Sequence, residues 1–313
     1  MASPTVIVYQ STDVGAPAYT TADPQPETTG FINVLDKCLV TGYGTKAAAG
    51  WTKPYTGTNK TAFRPNAGNR LYLRVDDDNA GAGYQTLDLN GYETMTDVDT
   101  GTGLFPSAAI TPKYQFRAAS YPATRPWKII ADDRTVYVLT DADNNLLYGG
   151  FMFGDFYSYV SSDAYRTGLF GGTAAGNGGI SLLGDLQTTL GASLDASVVA
   201  RDYTGTGAAL KVGRHGDLIK EGTTELLGLI PYPNAADNKL WLSPVYIHET
   251  AGPTIRGKMR GFWQWLHPIG GIADGDTFPG TGALAGRVFA VIKSESTGRG
   301  VFIIETSSTW DTN

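Results

Sequence analysis

The dipeptide Asn90-Gly91 lies between two runs that alternate apolar and polar residues, Tyr84–Leu89 and Tyr92–Thr96. A two-residue type I′ turn needs positive φ at both central positions, which Asn and Gly tolerate and most residues do not. The pattern therefore predicts a β-hairpin closed at Asn90-Gly91, the clearest of several such signals along the chain. It specifies a mainly β protein, built of antiparallel sandwich or barrel-like sheets with one or two short helices.

The remaining elements follow from period and punctuation. Thr5–Gln10 is a short strand, and Ser11–Thr29, rich in Pro, Thr and Asp without a hydrophobic period, is an extended arm or loop. Phe31, Val34, Leu35, Cys38 and Leu39 fall on one helical face, and Gly42 stands where the helix should stop. Arg70–Val75 is a strand; Arg125–Ala131, Arg134–Thr140 and Leu146–Phe153 form a three-stranded meander through Asp132-Asp133 and Asp141–Asn145. Gly171–Gly179 is a loop between two halves of the chain. Leu182, Leu186, Leu190, Leu194 and Val198 recur every four residues, yet Gly184 and Gly191 interrupt this stripe at up to about 1 kcal/mol each, so helix and loop both stay open there. Arg287–Lys293 and Gly300–Thr306 pair as a hairpin with a longer loop. The expected organisation is an N-terminal strand and arm over 1–29 and β-rich regions over 30–170 and 171–313, as separate or continuous domains.

At 313 residues the chain buries a core without metal or disulfide staples, so nothing about its stability calls for a cofactor. Charged residues are 17%, below the usual share of about 25%, and the 40 glycines are close to twice the usual share of about 7%. The net charge of −6 is spread out, and without a Lys/Arg cluster there is no grip for nucleic acid. No stretch approaches the roughly 18 apolar residues of a membrane span, and Met1-Ala2-Ser3-Pro4 does not open a secretory signal. Cys38, the one cysteine, reads as a small buried hydrophobe.

Catalytic constellations are sparse. His215, His248 and His267 form no close ligand pair, and a lone His in a β protein is ordinarily a satisfied structural residue. There is no GxSxG elbow, which leaves a hydrolase acting on cell-wall sugar or peptide without a compact catalytic set. Asp76–Asn79, Asp97–Gly101, Asp141–Asn145 and Asp274–Asp276 place oxygen atoms at alternate positions on turns, as a calcium loop does, but turn capping explains the same pattern. Gly205-Thr206-Gly207 lacks the lysine of a phosphate loop. Trp263 and Trp265 alternate around Gln264, so on a strand both indoles share one face; they form either a sugar-stacking pair or packing against a core or a subunit interface. The 17 tyrosines suit protein association, since each joins an apolar body to a polar tip.

Gly42-Tyr43-Gly44-Thr45-Lys46 with Ala49-Gly50-Trp51, then Arg70–Asp77, then Gly91–Asp99, resembles a family of structural proteins from tailed bacteriophages. The likeness continues through Arg125-Pro126-Trp127, Ala131-Asp132, Phe153–Phe156, Asp274–Phe278 and Glu305-Thr306-Ser307. The resemblance implies a non-enzymatic virion subunit, made in the bacterial cytoplasm and placed as capsid decoration, neck, collar or tail accessory protein. It implies partners among other virion proteins and copies of itself, and it brings no catalytic residues. The Ser11–Thr29 arm would then lie across a neighbouring subunit and add a strand to its sheet. The alternative is a host-glycan-binding adhesion module using the Trp263/Trp265 face, supported by calcium in the acidic loops.

Overall fold

The computed structural model describes residues 5–18, 30–81, 84–105, 113–117, 126–140, 149–170, 197–215, 231–249, 254–267, 272–273, 275–293, 301–307 and 309–310. Among the described residues the fold is mainly β, a sandwich-like stack of antiparallel sheets with one α-helix. Strand β1 (Ile7–Gln10) precedes helix α1 (Phe31–Asp36), which runs on as a π-turn over Lys37–Thr41 and stops at Gly42, where φ is 77°. Five strands then make a small sheet in the order β2-β3-β4-β5-β8: β2 (Trp51–Gly57), β3 (Lys60–Pro65), β4 (Tyr72–Gly81), β5 (Tyr84–Tyr92) and β8 (Lys113–Arg117). A two-stranded ribbon, β6 (Thr94–Asp97) with β7 (Thr100–Thr102), packs its Met95 against Ala62 and Tyr72 on one face of that sheet.

The large sheet takes β1 and all strands from residue 127 on: β9 (Trp127–Ala131), β10 (Thr135–Thr140), β11 (Gly149–Asp155), β12 (Tyr157–Ser158), β13 (Thr167–Phe170), β14 (Ser197–Arg201), β15 (Ala208–His215), β16 (Leu242–Glu249), β17 (Thr254–Trp265), β18 (Thr277–Pro279), β19 (Val288–Lys293) and β20 (Val301–Glu305). Its order is β1-β9-β10-β11-β13-β14-β15-β16-β17-β20-β19-β18, with β12 on the same side of β17 as β20. The β9-β10-β11 meander and the β19-β20 hairpin stand where the sequence pattern puts them.

The central strands are apolar on both faces, and alternation explains why. Ile129, Val136, Val138, Phe151, Phe153, Leu169 and Val198 face the small sheet and α1. Their neighbours Ile130, Tyr137, Leu139, Met152, Phe170 and Val199 face the far half of the same sheet, meeting Val245, Ile247, Met259, Phe262, Ile292 and Ile304. The large sheet therefore folds back on itself, and β9–β14 become the middle of three layers. Val291 and Ile303 point outward again into a third cluster with Trp265 and Phe289.

Two expectations need correction. Asn90-Gly91 is no hairpin turn: β5 runs straight through it, with Asn90 opposite Arg74 and Gly91 opposite Leu73. Gly91 also exchanges both backbone hydrogen bonds with Phe105, whose ring fills the space that a side chain at 91 would need. Asp76–Asn79 lies within β4 and not on a turn, and the Asp77 carboxylate accepts the Phe31 N–H at the start of α1, 2.8 Å away. The described part of the arm turns onto its own chain. Ser11 N–H donates to Trp127 O at 2.9 Å, Tyr43 OH donates to Asp13 at 2.8 Å, and Trp127 Nε1 donates to Pro17 O at 3.3 Å. Residues 19–29 lie outside the described residues, as do Gly171–Gly179, Asp141–Asn145 and the stripe from Leu182 to Leu194.

Candidate interaction surface

Strand β17 is the frame of the site. Its Arg256 side chain is 0% exposed and spends all five N–H groups. Nε and Nη2 form a fork on Asp163 at 2.8 and 2.7 Å, Nη1 reaches Glu249 at 3.0 Å and Arg201 O at 2.6 Å, and Nη2 also donates to Tyr165 O at 2.9 Å. Burial raises the Glu249 carboxyl above its ordinary value, against the pull of Arg256 and the Tyr203 N–H, which donates to Oε1 at 2.9 Å. Gly257 is required beside it, because a Cβ there would lie 2.0 Å from Tyr157 O where β12 crosses.

Three large apolar side chains stand out from this frame. Ile255 is 53% exposed, Tyr159 52% and Tyr203 46%. Ile255 adjoins Arg256 in the chain, Tyr159 N–H donates to Arg256 O at 2.8 Å, and Tyr203 is held by Glu249. The Tyr157 ring meets Tyr159 edge-on at 5.8 Å and carries the Lys258 ammonium 5.3 Å above it. Burial, then the nearby Arg287 charge, lowers the Lys258 pKa. Tyr159, Tyr203 and Ile255 are thus exposed side chains whose backbones are fixed on one buried ionic network.

A cavity of about 380 Å³ opens beside it, lined by Arg134, Arg166, Arg260, Asp155, Ser161, Val160 and the chain from Phe156 to Ser158. Arg260 lies 3.2 and 2.7 Å from the two oxygens of Asp132, and Arg166 Nε donates to Asp155 at 3.2 Å. Asp155 also accepts the Asn69 N–H at 3.0 Å, which ties the loop after β3 to the large sheet. Arg201 and Glu93 form a second such tie, a fork at 2.6 and 2.9 Å.

The residues singled out in the sequence lie elsewhere. Trp265 is 1% exposed, packed among Tyr232, His267 and Phe278. Trp263 is half-buried against Phe289, so the pair is core packing and not an exposed sugar platform. His267 is buried and satisfied, its Nε2 accepting the Trp241 N–H at 2.7 Å and its Nδ1 3.1 Å from Pro231 O. His248 sits half-buried in β16 and His215 pairs through its backbone with Tyr246, far apart in the sheet register from His267. Cys38 is buried in the core, and its thiol pKa is raised by that burial.

The acidic residues are engaged in local structure. Asp99 pairs with Lys60 and, at 2.8 Å, with Arg74, and these contacts lower its pKa. Asp276 accepts the Ala273 N–H at 2.7 Å. The loop around Gly205-Thr206-Gly207 is closed by Asp202, which accepts from Thr204, Thr206 and Gly207 and is held below the usual carboxylate range by them. Among the described residues no three His, Cys, Asp or Glu side chains gather as a metal would require, and no helix is long and apolar enough to cross a membrane.

Sequence reasoning passed over Arg256, Arg166 and the three exposed apolar residues. Asp163 and Arg256 are 93 positions apart, so no local pattern marks the pair. No protein-family model matches the chain, and no curated protein is similar to it in sequence.

Proposed function

We propose that this chain is a non-enzymatic structural subunit of a tailed-phage virion that works by protein–protein assembly. The observation that carries this reading is the set of exposed side chains Tyr159, Tyr203 and Ile255, whose backbones are tied to the fully paired Arg256 and its partner Glu249. Tyrosine contributes large contact area at low entropic cost, and a buried ionic base holds that area in one shape before a partner arrives. The sequence resemblance to phage structural proteins supports the same reading, as does the low overall charge.

One edge of each of the two larger sheets is guarded against strand addition, which favours association through faces there. Edge strand β2 carries Lys53-Pro54 at a register shift, and edge strand β18 is three residues ending in Pro279. Both are devices that block edge-to-edge pairing.

A second reading, recognition of host glycan, draws on a different place than the one the sequence suggested. Trp241 is 46% exposed and Tyr232 43%, and both lie beside the Trp265 cluster. Cryo-EM of the purified particle without imposed symmetry separates the two. Regular density on the capsid, neck or tail supports the structural reading. Absence from the particle, or glycan binding by isolated protein that Trp241→Ala abolishes, overturns it.

A further inference from the structure

The cavity beside the tyrosine surface has the chemistry of a receptor for a carboxylate. We infer that it receives an Asp or Glu side chain from a neighbouring subunit, with Arg166 as the principal contact; the neighbour as source rests on the assembly reading above.

Arg166 is built for this. Its Nε is held by Asp155 at 3.2 Å, its side chain is one-third exposed, and its two terminal nitrogens have no hydrogen-bond partner among the described residues. A guanidinium anchored through Nε presents its remaining N–H groups as a flat fork, the shape that matches a carboxylate.

Asp155 does not compete for that fork. Its Oδ1 accepts the Thr167 hydroxyl at 2.7 Å, and its Oδ2 accepts the Asn69 N–H and Arg166 Nε. Arg260 is neutralised by Asp132, and Arg134 Nε stands 3.7 Å from Asp133. Charge in the cavity is therefore close to balanced, and recognition comes from directed N–H groups and not from a bare positive field. The exposed Ser161 adds a hydroxyl at the wall, while Phe156, Tyr157 and Val160 give it an apolar side.

Two observations favour a protein carboxylate. Tyr157 both lines the cavity and stacks edge-on with Tyr159, so cavity and tyrosine surface are continuous and one partner can cover both. The chain itself carries 30 acidic against 24 basic residues, so a copy of it offers more carboxylates than ammonium or guanidinium groups.

The test is calorimetric titration of the full chain with a blocked triglutamate peptide, with triglutamine as control. The expected result is saturable binding of triglutamate alone, weakened at least tenfold in Arg166→Gln and less in Arg166→Lys. Ser161→Trp, which narrows the cavity without touching an ion pair, should weaken binding as well, and circular dichroism checks that each variant is folded. The inference is overturned by no binding, by binding that neither variant changes, or by preference for polyglucuronate or inorganic phosphate over the peptide. Particle cryo-EM reads the parent assignment separately. A chain absent from virions that still binds triglutamate through Arg166 would keep the carboxylate site and remove the neighbouring subunit as its source.

Discussion

A Cβ placed on Gly91 would lie 2.2 Å from Cζ of Phe105, whose ring stacks on Phe153 at 6.3 Å with planes 14° apart. The glycine is what lets one aromatic ring bridge the small sheet and the large one.

Gly91→Ala should therefore destabilise the fold by about 2–3 kcal/mol through overpacking, and Phe105→Ala by about 3–5 kcal/mol through a cavity. The two should couple. With the ring removed the added methyl has room, so the double variant should cost clearly less than the sum, a result that a urea-denaturation cycle measures directly.

Arg256→Met should cost about 3–5 kcal/mol near neutral pH, because it leaves Asp163 and Glu249 buried with their cation gone. The loss should shrink on acidification, since burial already raises the Glu249 carboxyl and its protonation removes a stranded charge. Denaturation midpoints of wild type and variant at about pH 7 and about pH 5 give the comparison.

What the sequence made legible was whatever rests on local period. Trp127–Ala131 and Thr135–Thr140 read as strands because their apolar residues run nearly unbroken, and the structure shows both faces covered. The helix over Phe31–Leu39 and its stop at Gly42 were legible for the same reason. Asn90-Gly91 misled because a glycine that admits a ring against a strand looks, in one dimension, like a glycine that closes a turn. The site was not legible: Arg256 joins residues from β16, the loop after β12 and the end of β14, and only the order of strands in space brings them together.

The buried phenols beside Cys38 set an alkaline limit. Burial raises Tyr9, Tyr43 and Cys38 above their ordinary values of 10.0, 10.0 and 9.0, helped at Tyr43 by its bond to Asp13. Below those values both folded and unfolded chains are neutral at these groups, so no stability is lost. Above them the unfolded chain ionises first, so stability should fall as pH rises from about 9 toward about 11. Melting temperature across that window should drop less steeply in Tyr43→Phe than in wild type. An equal slope would mean that Tyr43 is not among the groups that set the limit.

The exposed residues of the proposed interface should behave in the opposite way to the core. Tyr159, Tyr203 and Ile255 lose little by staying in water, so Tyr159→Ser and Ile255→Ser should each leave stability within about 0.5 kcal/mol of wild type. Both backbones are held from behind by Arg256 and its strand, and that support survives the substitutions. If the surface is a docking face, the double variant should fold normally yet be recovered in purified particles at less than a tenth of the wild-type level, read by quantitative mass spectrometry. Tyr203→Ser, hung from Glu249 on the neighbouring loop, then reports how far the interface extends beyond β17. Normal recovery of both the double variant and Tyr203→Ser would place the contact on another face of the molecule.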